Sequence, residues 1–264
     1  MLPGPDQIIA CPNCQGLAKH GTLRSGYIFG ARTWTDGKRD LPMLPQPSSV
    51  VKCLHCNEFY WRKNAEKIGL LPVVEEHDDV DPDWKQAVDV SEPSEDEYYQ
   101  AIERGLATTT EEEKNLRILA WWRRNDAHRE QMEYLVEDEP ETPSLWIKGL
   151  QHLTNLLGSD KNRDIQLSQP PTTPETPIDD GSDDLSDAPG PWQDNLRALA
   201  EILVPEDDSD RLMKAELFRQ LGDFESAMAM LDGVESDEVE RIVGQLQSLC
   251  DAQNTRVKQL NLDG

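Results

Sequence analysis

Four of the five cysteines stand in two Cys-x-x-Cys pairs, Cys11-Pro12-Asn13-Cys14 and Cys53-Leu54-His55-Cys56. Thiolates bind divalent metal ions tightly, and four of them meet at one ion only if two tight turns each aim two sulfurs at a common point. The spacing predicts a metal site made of Cys11, Cys14, Cys53 and Cys56. Four sulfurs leave no coordination position for substrate or water, so the metal would support folding and not catalysis. His20 and His55 lie close by in sequence. With the ion already saturated, they read as exposed side chains or as neighbours of the ligands. Cys250, far along the chain in a helical pattern, reads as a buried apolar thiol.

The segment joining the pairs must bring them together. Tyr27, Phe29, Ala31 and Thr33 alternate with Ile28, Arg32 and Trp34, a strand period with bulky side chains on both faces. Asp36-Gly37 supplies a tight turn. Pro42, Pro45 and Pro47 then interrupt pairing before Val50 and Val51 lead into the second pair, which Phe59, Tyr60 and Trp61 follow. A small hairpin with a few aromatics and a metal is what a unit of about 70 residues needs in place of a large core.

Cys11-Pro12-Asn13-Cys14-Gln15-Gly16, the intervening hairpin and Cys53-Leu54-His55-Cys56-Asn57 resemble the zinc ribbons, with the rubredoxin-like four-cysteine site as a structural relative. Asn57 stands where many ribbons have Gly, and Asn tolerates the same left-handed backbone. The resemblance covers about a quarter of the chain. It implies that Cys11, Cys14, Cys53 and Cys56 bind one Zn2+ per chain. Four thiolates also accept iron, which would make the site a rubredoxin-like electron carrier, but structural zinc is the commoner use of a closed four-cysteine set.

Charge divides the chain. The formal net charge is −25, yet residues 1 to 70 carry +4 and the remainder −29. So negative a remainder repels phosphate backbones and anionic membranes, leaving only residues 1–70 as a place for nucleic acid. There Lys19, Arg24, Arg32, Lys38, Arg39, Arg62 and Lys63 could touch phosphates beside exposed Trp34 or Tyr27. No run approaches the roughly 20 apolar residues needed to span a bilayer, and the first residues lack the pattern of a leader peptide, so a cytoplasmic location is expected.

The remaining segments read as helical and acidic. Residues 75–83 form an acidic connector. They lack the Gly and the terminal Glu of a calcium loop, with Trp84 and Val90 at those places. Ser94-Glu95-Asp96-Glu97 and Thr110-Glu111-Glu112-Glu113 are capping boxes opening two helices, which pack as an αα-hairpin across Ala107-Thr108-Thr109. The first turns Tyr98, Ala101, Ile102 and Leu106 inward. The second turns in Leu116, Leu119, Ala120 and Trp122, with Trp121-Trp122 as one core anchor and one half-buried lid. Pro143 opens a third helix with an apolar stripe through Leu157. Residues 159–191, with six Pro, eight Asp/Glu and no aromatic, read as a disordered linker that frees the C-terminal part to move.

Beyond the linker a helix spans Trp192 to about Leu203, and a last one lies near Val239 to Leu260. Between them, Ala215, Phe218, Gly222, Phe224, Ala227 and Leu231 fall at the spacing of a tetratricopeptide repeat, which residues 211–231 resemble. The resemblance implies protein or peptide binding. Lys214 and Val239 depart from the pattern, and only one repeat is visible.

The reading is an α+β multidomain chain: a small β zinc ribbon (1–70), an acidic α-helical region (71–158), a linker (159–191) and a tetratricopeptide-like helical region (192–264). The helical groups can also merge into one domain. With five dispersed His and no Gly-rich phosphate loop or nucleophile elbow, no enzyme is expected. The leading expectation is an adaptor, whose zinc head and repeat-like tail bind protein partners at a separation set by the acidic linker.

Overall fold

The computed structural model describes residues 1–45, 47–72, 81–137, 190–236 and 239–262, excepting the side chains of 131–137. The helix expected over Pro143–Leu157, most of the 75–83 connector and residues 159–189 of the linker lie outside these. Ten short strands precede most of the helices: β1 (Leu2–Pro3), β2 (Asp6–Ala10), β3 (Leu17–His20), β4 (Leu23–Ser25), β5 (Arg32–Thr33), β6 (Arg39–Asp40), β7 (Val50–Lys52), β8 (Phe59–Trp61), β9 (Glu66–Leu71) and β10 (Val88–Asp89). The described helices are α1 (Pro82–Lys85), α2 (Glu95–Glu103), α3 (Thr110–Glu137), α4 (Pro191–Ile202), α5 (Asp208–Gln220), α6 (Phe224–Leu231) and α7 (Glu240–Asp251). Small sheets followed mainly by helices make an α+β architecture. One compact unit comprises Met1–Glu130 and Pro189–Gly264, and every contact below lies within it.

A four-stranded sheet runs β10-β3-β2-β9, with β2 antiparallel to both neighbours and β10 parallel to β3. Its central strand buries Ile8, Ile9 and Ala10. At Gly69 of β9 the Trp84 ring of α1 lies so close that an added Cβ would sit 2.1 Å from it, so only glycine lets the ring cover the strand.

The β7–β8 hairpin explains why three aromatics in a row are all buried. Strand alternation sends Val51 and Tyr60 into the core around the cysteines, and Val50, Phe59 and Trp61 into a second core with Tyr98, Ala101, Leu116 and Ala120 of α2 and α3. The hairpin is thus buried on both faces, tying the ribbon to the helices.

The two expected helix starts differ in detail. Ser94 and Glu97 form the capping box at α2, while α3 is capped one residue earlier than expected, Thr109 Oγ1 accepting from the Glu112 N–H at 3.2 Å. Gly105, at φ +69°, ends α2 and lets the Leu106 N–H reach back to the Ala101 carbonyl. In α3 the anchor is Trp121 and the half-buried lid is Trp122, the reverse of the expected pair. The cause is that α3 has cores on two sides, Leu116 and Ala120 facing α2 and the ribbon, Ile118 and Trp121 facing Leu196, Leu199, Leu203 and Leu217 of the α4–α5 segment. A single inward stripe does not describe such a helix.

Two further expectations are corrected. The strand expected through Tyr27–Trp34 shrinks to β5, which pairs with β6 around Asp36-Gly37; Tyr27, Ile28 and Phe29 form an exposed loop instead. The last helix ends at Asp251, and after a turn the chain reaches the β5 segment, where Thr35 N–H donates to the Lys258 carbonyl at 2.8 Å and Leu260 N–H to the Thr33 carbonyl at 2.8 Å. These bonds place the C-terminal helices in the same compact unit as the cysteine-bearing sheets. Cys250 is buried in α7, and α5–α6 form a helical hairpin around Gly222, which stands at φ +79°.

Candidate metal centre

The two cysteine pairs are the same local structure built twice. In each, the residue after the second cysteine takes the left-handed backbone, Gln15 at φ 61° and Asn57 at φ 59°, and its N–H donates to the carbonyl of the first cysteine at 2.9 and 2.8 Å. In each, the first cysteine's N–H reaches across the turn, Cys11 to the Gly16 carbonyl at 3.0 Å and Cys53 to the Glu58 carbonyl at 2.9 Å. The turn closes β2 to β3 and β7 to β8, so each pair sits at the end of a rigid hairpin. Asn57 was legible as the left-handed residue; Gln15, a residue type less suited to that backbone, was not.

The hairpins bring the four sulfurs within 4.8 Å of one another. Cys11 and Cys56 Sγ are 3.9 Å apart and Cys14 and Cys53 Sγ 3.7 Å. Zinc–sulfur bonds of 2.3 Å in a tetrahedron have edges of about 3.8 Å. The donor set and spacing therefore fit one tetrahedral ion, as in a zinc-ribbon-like site, with two ligands from each hairpin. Cys11 and Cys53 are buried, whereas Cys14 is exposed.

Electrostatics point the same way. Burial opposes ionisation of Cys53, but the backbone N–H groups of Cys56 and His55 and the adjacent thiols outweigh it and bring its pKa down to about 7. At Cys56 the Glu58 N–H favours the thiolate, yet burial and the other three cysteines push the pKa up to about 12. Burial likewise raises Cys11. One sulfur ionises at the expense of the others, and a dication removes that conflict by neutralising the thiolates together. Tyr60 is packed against Cys11 and Cys53. Burial and the cysteines' negative charge raise its phenol to about 12, and its buried hydroxyl has no hydrogen-bond partner among the described residues. An unused donor beside a sulfur cluster suits thiolates, which accept hydrogen bonds.

His55 joins the two hairpins without being one of the clustered ligands. Its ring packs on Gly16, where an added Cβ would come within 2.5 Å, and its Nε2 lies 3.1 Å from the Leu17 carbonyl. His20 is bonded to the Gly21 carbonyl.

The basic residues considered for phosphate contact are largely engaged. Arg32 pairs with Asp40, Lys38 with Asp126 at 2.6 Å and Lys63 with Glu112 at 2.7 Å, while Arg62 donates to the Ser48 and Pro47 carbonyls. Trp34 is buried under the Arg129 guanidinium and not exposed as expected; Tyr27 is exposed.

A second polar cluster went unread in the sequence. Glu216 and Arg219 of α5 are both 0% exposed and paired at 2.6 Å. Glu216 also accepts from Thr35 Oγ1 and from Gln220 Nε2, each at 2.7 Å, while Gln220 accepts from Trp121 Nε1 at 2.9 Å. Arg219 donates to the carbonyls of Asn254 and Arg256. Beside it, buried Asp36 accepts from Asn125 and Arg129 of α3. Every charge is matched, and the cluster fastens the insert between the cysteine pairs to α3, α5 and the segment after α7. The Asp36-Gly37 turn was the one local sign of it.

No protein-family model, no curated protein and no solved structure matches this chain. The donor set and its geometry carry the functional reading.

Proposed function

We propose that this chain is a non-enzymatic zinc-binding adaptor that mediates protein–protein interaction, with zinc holding the ribbon in shape. The observation that carries the reading is the closed four-sulfur cluster. Cys11, Cys14, Cys53 and Cys56 would hold the ion, and two hairpins supply every ligand, as structural zinc requires. Such an ion, once bound, neutralises the thiolates and locks the hairpins together. It offers no position for a substrate. Zinc is favoured over iron because nothing in the reading asks the site to pass electrons. Binding of proteins is favoured over nucleic acid because the head's cations are mostly engaged and its Trp34 is buried. The helical hairpin 211–231 adds weight through its resemblance to a repeat used for binding proteins.

The test is element analysis of the purified chain, combined with mass-spectrometric identification of what copurifies with it before and after nuclease. One zinc per chain and nuclease-resistant protein partners are the expected result. Loss of all partners with nuclease would transfer the role to nucleic acid bound by residues 1–70. A red, iron-bearing preparation would make the chain an electron carrier.

A further inference from the structure

The loop Gly26-Tyr27-Ile28-Phe29-Gly30-Ala31 holds three consecutive large apolar side chains in solvent, Tyr27 65%, Ile28 67% and Phe29 86% exposed. The loop has a defined shape. Ala31 N–H donates to the Ile28 carbonyl at 3.0 Å and Gly30 stands at φ +72°, the left-handed position such a turn requires, so Phe29 lies at the apex. Tyr27 N–H is anchored to the Met43 carbonyl, and Leu44 packs so near Gly26 that an added Cβ would come within 2.6 Å of it. Leu2, paired with Ser25 at the foot of the loop, is also exposed, as is Met1. Contiguous apolar surface on a shaped turn is unfavourable in water unless something covers it.

Charge at the foot of the loop indicates what that is. Arg24 precedes it, and Arg39 lies on β6 opposite Thr33; both are exposed and make no ion pair among the described residues. A chain of net charge −25 that leaves two guanidinium groups unpaired on the strands flanking an apolar loop presents a surface complementary to an apolar pocket rimmed by carboxylates. We propose that residues 26–31, with Arg24 and Arg39, are the docking element for such a pocket on a protein partner. The proposal rests on the adaptor reading and names the surface and the chemistry of its partner.

Other occupants fit less well. An anionic bilayer or a nucleic acid extends past the loop to the chain's acidic remainder, whereas the carboxylates rimming a pocket meet only the loop and its two arginines. Among the described residues, the cavities of about 360 and 520 Å³ beside the C-terminal segment are lined by groups such as Thr33 and Leu260 or Arg241 and Lys258, and by no carboxylate, so neither is the matching socket of a second copy.

The test places a photo-crosslinking p-benzoylphenylalanine at Phe29 in the full-length, metal-loaded chain inside its own cells, and sequences the crosslinked peptides. The expected product joins Phe29 to a peptide of another protein in which apolar residues are interspersed with Asp or Glu. Arg24→Glu with Arg39→Glu should weaken crosslinking about tenfold, and Phe29→Ser should lower copurification of the same protein roughly thirtyfold, as for a central aromatic anchor. Metal content should be unchanged in these variants, since all three side chains are exposed. Crosslinks to the chain itself, to lipid or to nucleic acid, no crosslink, a partner peptide without acidic residues, or indifference to charge reversal would each overturn the proposal. If Phe29→Ser still copurifies the same nuclease-resistant proteins, the adaptor reading stands and this surface falls; if the unaltered chain copurifies none, the adaptor reading itself fails.

Discussion

Two clusters, one partly exposed and one buried, join distant parts of this chain by opposite chemistry. At the cysteines, four like-charged ligands converge and resist ionising together until a cation arrives. At Glu216 and Arg219, the opposite charges are both supplied by one helix, and Thr35, Gln220 and two backbone carbonyls use the remaining donors and acceptors. The first cluster depends on its surroundings for completion, whereas the second is complete when the chain folds. The ribbon is therefore the conditional part of the unit and the helical body the unconditional part. Their common wall is the β7–β8 hairpin, which lends one face to each core.

The largest effect should come from the metal. A strong chelator, or Cys11→Ser with Cys53→Ser, should remove stabilisation on the order of 10 kcal/mol from the ribbon, because in such sites metal binding is folding free energy. Calorimetry of the full chain should show the metal-free transition broadened or split, with the helical signal outlasting that of the ribbon tryptophans. A single unshifted transition would show that the body holds the ribbon without metal. Next in size is Arg219→Ala, which leaves Glu216 buried with no cation. A loss of about 3 to 5 kcal/mol is expected in urea titrations, with bound metal retained. Metal loss in that variant would mean that the two clusters are not separable. The smallest effects, of opposite sign, belong to two glycines. Gly69→Ala drives a methyl into Trp84 and should cost about 1 to 3 kcal/mol. Gly244→Ala, inside α7 with open space where its Cβ would stand, should stabilise by up to about 1 kcal/mol. Thermal unfolding of both distinguishes a ribbon glycine that is needed from a body glycine that is not.

What was legible in the sequence was local. The candidate metal site is written in two four-residue turns, and Ser94 with Glu97 announces α2 across three residues. The anchor in α3 was misread because neighbours of both kinds surround it: Trp122 fits the stripe of Leu116 and Ala120, but Trp121 faces a core built from residues 196–217. The Tyr27–Phe29 run alternates like a strand, yet among the described residues no partner strand reaches it, and the turn at Gly30 projects it into solvent. Thr35 gives no hint of Glu216, because a hydrogen bond across 181 residues leaves no periodicity in either segment.

The bonds from Thr33 and Thr35 to residues 258–260 also impose an order on biosynthesis. Thr35 Oγ1 accepts from the Lys258 N–H across 223 residues, a span a growing chain takes roughly ten seconds or more to produce. Until then the edge of β5 has no neighbour on that side, and its backbone groups are open to any passing strand. The insert between the cysteine pairs can finish folding only after residues 258–260 have emerged, even if the metal is captured early.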